Sequence, residues 1–179
     1  MDLAEKKQHV LPRKLLTASL TGSLFAVLLG FFVQGPFGDD INSIKEYLWS
    51  ITRAVPFYLM YSFPVIFVYG TITSIISDFL SGLIAKNWLR RTEPYLSFVF
   101  HILFGSILQW VSLSAAILYF TIDSILRKKK SRYKWRQAFM SLAIPLLVWI
   151  FFMGIIWIMD FFKDGADYFV YSFFQEEKK

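Results

Sequence analysis

Three polar side chains lie inside stretches otherwise suited to lipid, and any chemistry in this chain has to start with them. Asp78 shares one helical face with Thr71, Ser74 and Ser81. His101 belongs to a four-residue step, Ser97, His101, Gly105, Gln109, continued by Ser112 and Ala116. A carboxylate in hydrocarbon costs about 2.5 kcal/mol or more, and an imidazole titrates near neutrality. Asp78, His101 and Gln109 are therefore the candidates for handling a proton or cation. Each also has a plainer reading. Asp78 stands toward a helix end, where Ser74 can hydrogen-bond it and Lys86 is near in sequence. His101 can serve as a hydrogen-bonding partner between helices. Metal binding needs more ligands than His101, and the second histidine, His9, lies in the N-terminal tail.

These residues must be positioned by helices that cross a membrane. Residues 15–33, 54–77, 94–122 and 137–159 contain no charged side chain. A spanning helix needs about 20 mostly apolar residues, so all four stretches are candidates. The expected fold is an all-α, polytopic membrane helical bundle occupying 15–162, with spans near 15–33, 54–77, 95–122 and 138–160. A basic tail (1–14) precedes it and an aromatic, charged tail (163–179) follows. With 56% apolar and 20% aromatic residues, the chain has far more large apolar surface than a soluble domain of this length needs. The first apolar run is longer than the core of a cleaved signal and reads as an uncleaved span.

The net charge of +6 does not point to nucleic acid, because the basic residues flank the spans, where Lys and Arg set orientation. Four simple crossings leave ten Lys and Arg on one side and nine on the other, almost no bias. The most basic segment, RKKKSRYKWR at 127–136, then sits with the minority. A hairpin within 95–126, turning near Ser106 to Trp110, removes the conflict: fourteen basic residues share a side with the N-terminus against five opposite. Its arms, however, are only about 24 Å long. A single tilted helix and a hairpin giving a fifth crossing both remain open. A cell membrane with a cytoplasmic N-terminus is the expected location, and anionic lipid head groups near 127–136 are the expected contact.

Ala18, Gly22, Ala26 and Gly30 repeat a small residue at every fourth position, a helix-packing seam. Gly35-Pro36-Phe37-Gly38 ends that helix. Asp40 can then cap a short amphipathic helix at 41–54, with Ile41, Ile44, Leu48, Ile51 and Val55 on one face, lying at the interface. Pro64 predicts a kink near residues 60–64. Asp123 and Arg127 form an i,i+4 pair.

No phosphate-binding loop, dinucleotide fingerprint, zinc-protease helix or nucleophile elbow occurs. There is no Cys, so no disulfide or thiolate site. No cofactor is expected, and enzymatic function is not.

Three segments carry a resemblance: YGTITSIISDFLSGLIAK (69–86), FHILFG (100–105) and ILYFTIDSILRKKK (117–130). Together they resemble a family of uncharacterised multi-pass integral membrane proteins from Bacillus-type Gram-positive bacteria, over roughly residues 65–130. The resemblance implies a multi-pass membrane protein without an assigned activity and transfers no functional residue. The first functional expectation is a non-enzymatic accessory, regulatory or immunity-type component, packing against a membrane-protein partner or its own copies. The alternative is a small transporter or channel subunit using Asp78, His101 and Gln109.

Overall fold

The computed structural model describes residues 10–33, 36, 38, 41–87, 92–107, 109–129 and 133–176, with the side chains of 86, 87, 93, 109 and 164–176 set aside. The fold is all-α. Helix α1 (Val10–Phe32) is followed by α2 (Ile44–Val65), a π-helical turn (Ile66–Gly70) and α3 (Thr71–Asn87). Then come α4 (Glu93–Ser106), α5 (Gln109–Lys128), the short α6 (Trp135–Ser141) and α7 (Ala143–Glu176). Four helical stretches are long and apolar enough to cross a membrane: Val10–Phe32, Ile44–Ala85, Trp110–Lys128 and Trp135–Lys163.

α1 is the central strut. Ala18 and Ala26 are fully buried, and a side chain at Gly22 or Gly30 would strike Phe63 or Val55 of α2 at 2.7 and 2.6 Å. The small-residue seam thus packs α1 against α2 within this chain, and the close backbone approach substitutes for hydrophobic drive in lipid. Gly22→Leu is expected to lower the free energy of SDS-induced unfolding by about 1–3 kcal/mol, the cost of overpacking. Oligomeric state, read by cross-linking, should not change.

The expected 41–54 helix is not a separate element. α2 runs on through Pro56, because Ile51, Ala54, Val55, Pro56 and Leu59 are all buried, with Ile51 and Val55 beside Gly30 of α1. That packing holds both sides of the proline and outweighs its missing N–H. The first turns leave Ile44 and Leu48 exposed, though Tyr47 OH still donates to the Phe31 carbonyl of α1. The cap also differs from expectation: Ser43 Oγ accepts from the Glu46 N–H at 3.2 Å, and the Asn42 N–H donates to Glu46 Oε2. Asp40 lies outside the described residues. Pro64 is followed directly by the π turn at 66–70, two residues past the expected kink.

Residues 95–126 form a hairpin. α4 ends at Ser106 and α5 starts at Gln109. The two pack antiparallel, with Gly105 so near α5 that a Cβ there would lie 2.6 Å from Ala116 Cβ and 3.3 Å from Leu113 Cα. The opposed pairs Phe98–Phe120 and His101–Phe120 continue the contact. α4 has 14 residues, about 21 Å of rise, so this arm is short of a full hydrocarbon core.

Three boundaries also shift. α1 begins at Val10, so Arg13 and Lys14 belong to the helix rather than to a tail. The fourth span breaks at Leu142 and restarts as α7, since Pro145 denies Ser141 its helical donor. α7 then continues unbroken through the expected tail to Glu176.

Candidate functional site

Antiparallel packing brings one end of α1, α3, α4 and α5 together, and that end carries charge. Lys14, fully buried, stands one helical turn inside the start of α1. Its Nζ lies 2.7 Å from Asp78 Oδ2 of α3 and 2.9 Å from Asp123 Oδ2 of α5. Arg13 Nε donates to Asp123 Oδ1 at 3.0 Å, and its Nη2 is 3.8 Å from Asp78 Oδ2. Arg127 Nη2 spans both carboxylates, at 2.9 Å from either Asp78 oxygen and 3.1 Å from Asp123 Oδ2. Three cations and two carboxylates from three helices form one cluster. Burial is affordable because each carboxylate oxygen finds a charged donor, and charge-assisted bonds are the strong kind.

Hydrogen bonds from Ser97 and His101 tie α4 in. Ser97 Oγ donates to Asp78 Oδ1 at 2.8 Å. The Ser97 carbonyl is 2.8 Å from His101 Nδ1; a carbonyl only accepts, so Nδ1 carries the hydrogen. His101 Nε2 then accepts from Ser74 Oγ at 3.1 Å, while Ser74 in turn accepts from Lys14 Nζ. Tyr119 OH donates to the Lys14 carbonyl at 3.0 Å. Both ring nitrogens of His101 are thus engaged, and the imidazole ring itself packs against Phe120 and Tyr119.

Asp78 and His101 therefore meet in one network, through Ser97 and through Lys14–Ser74. Gln109 does not join them; its backbone starts α5, just after the hairpin turn and away from this end. The plainer reading of Asp78 changes in its partners. Ser74 bonds Lys14 and His101 rather than Asp78, and the cations on Asp78 are Lys14, Arg127 and, more distantly, Arg13. The Lys86 side chain is outside the described residues. Asp123 and Arg127 do pair, but as part of the cluster. Arg13 and Lys14 read from sequence as part of a basic tail, and Asp123 only as the i,i+4 partner of Arg127, because each flanks a span. The usable signal was the hairpin, which places the start of α1 and the ends of α3 and α5 at one level.

Among the described residues no group of three His, Asp or Glu is disposed to hold a metal ion, and His9 lies outside them. No protein-family model matches this chain, and neither a curated protein nor a solved structure does.

Proposed function

We propose that this protein is a non-enzymatic accessory or regulatory component of a bacterial cell membrane, of the kind its resemblance to Bacillus-type multi-pass proteins implies. The observation that carries this reading is the closure of the charged cluster. Every carboxylate oxygen in it is paired, His101 is satisfied on both nitrogens, and the space on the other side of His101 is apolar. Such an arrangement fixes helices: the carboxylates and cations are bonded to one another rather than left open to a passing ion.

The basic end supports an orientation. The start of α1, the end of α3 and the end of α5 share that end, and the sequence up to Lys14, from Lys86 to Arg91 and from Arg127 to Arg136 carries fourteen of the 19 Lys and Arg. By the positive-inside rule this end is cytoplasmic, where residues 127–136 face anionic head groups at roughly 1 kcal/mol per basic residue. A membrane-protein partner or second copy would have to use a surface other than the Gly22 seam, which α2 fills.

Purified protein in liposomes, assayed for proton, sodium and potassium flux, tests the reading. Wild-type protein and Asp78→Asn should both give the protein-free baseline. A flux above baseline that Asp78→Asn abolishes, with the variant still folded, would establish the transporter alternative instead.

A further inference from the structure

Between α1, α2, the π turn, α4 and α5 lies a cavity of about 390 Å³. Its inner end is closed by Gly70, Ala115, His101 and Tyr119, directly beneath the charged cluster. Its outer part is lined by Tyr61, Val65 and Val111, which are also at least half exposed on the bundle surface. In a membrane those positions face lipid, so the mouth opens sideways into the bilayer.

Most of the wall is apolar, and most of its hydroxyls are engaged elsewhere; Ser62 Oγ is the buried exception, without a hydrogen-bond partner among the described residues. Tyr58 OH donates to the Val33 carbonyl and Tyr69 OH to the Phe104 carbonyl, at 3.0 and 2.9 Å. Tyr119 OH is bound to Lys14, and Thr73 Oγ1 donates to the Tyr69 carbonyl. His101 presents ring carbon, since both nitrogens are used. These four hydroxyls are turned into backbone, so beside Ser62 and Ser112 the occupant has mainly carbon to touch.

The wall is also built open. The π turn adds girth to the α2–α3 helix where Ile66, Tyr69 and Gly70 line the space, and such turns recur at functional sites. Gly70 lets the Tyr119 ring stand against the backbone; a Cβ there would lie 3.3 Å from it. An engineered apolar cavity of about 150 Å³ stays dry and takes benzene. This one is more than twice that size, within the ordinary range for small-molecule sites.

We propose that this cavity binds an uncharged hydrocarbon group, a lipid acyl chain or a free lipophilic molecule, entering laterally from the bilayer between α2 and α5. The charge stays behind His101, so the site selects against ionic ligands. It is independent of whether the protein has a partner.

Photolabelling of full-length protein in phosphatidylcholine nanodiscs tests this in two arms: a free alkyl diazirine, and phosphatidylcholine carrying a diazirine in its acyl chain. Labelled positions are read by mass spectrometry. Saturable labelling on Ile66–Gly70 and residues 115–119 is expected in at least one arm, with Phe151 and Ile158 on α7 labelled without saturation. Ala115→Phe, which fills the inner end, should cut the inner labelling at least tenfold and leave α7 unchanged. Labelling by the lipid arm alone assigns an acyl chain; labelling by the free probe assigns a separate small molecule. Should Ala115→Phe not fold, competition by excess unlabelled alkane on wild type decides. Inner labelling that is absent, or that neither competition nor Ala115→Phe reduces, overturns the proposal.

Discussion

Asp123→Ala is expected to be the most damaging single change in this protein, lowering stability by about 3–5 kcal/mol, the usual cost of stripping one partner from a buried ion pair. Asp123 has 3% of its side chain exposed and accepts from Arg13, Lys14 and Arg127. Its removal leaves three cations facing Asp78 alone, one of them the fully buried Lys14. Removing a cation should cost less. Lys14→Met keeps the volume and leaves two Arg against two Asp, a balanced set. What is lost is the donor to Ser74 and one donor to each carboxylate. SDS titration of both variants in a mild detergent, followed by Trp fluorescence and circular dichroism, gives the order. Equal losses, or a larger loss for Lys14→Met, would mean that charge balance does not govern the cluster.

Gly105→Leu should separate the two arms of the α4–α5 hairpin. Even a Cβ at Gly105 would sit 2.6 Å from Ala116 Cβ, and behind it stand Leu113 Cα at 3.3 Å and the Ser112 carbonyl at 3.4 Å. Backbone cannot swing aside as a side chain can, so the cost exceeds the about 1–3 kcal/mol typical of overpacking. The milder Gly105→Ala provides a cycle. Paired with Ala116→Gly it should regain most of its lost stability, because the nearest obstacle is removed. Strictly additive losses in the double variant would show that these two residues do not touch.

The membrane bundle was legible because charge-free runs of 19 or more residues have one physical meaning. The Gly22 seam was legible as packing, since small residues at a four-residue step have no other use in lipid. Which helix filled it was not, because periodicity carries no information about the partner. The hairpin could be posed from charge bookkeeping but not chosen, since the shortness of α4 weighed against the balance of Lys and Arg. The Gly105–Ala116 approach is a tertiary fact that no spacing announces. The separate 41–54 helix was misplaced because Pro56 looks like a boundary, whereas α1 packs across it. Asp78 and His101 were found from chemistry alone. Lys14 and Asp123, which complete the cluster, were not, as a charge beside a span usually meets water or head groups.

The account rests on a hairpin that returns α5 to the end where α1 begins, so that Lys14 can reach Asp123. The absence of Cys allows single cysteines to be introduced without background and labelled in intact cells with a membrane-impermeant maleimide. Substitutions at Ser43 and Gln109 should label from one side of the membrane. Those at Asn87 and Ser131 should label only from the other, after the membrane is opened. Residue 131 labelling together with 43, while 109 stays protected, would contradict the hairpin and the buried charge cluster with it.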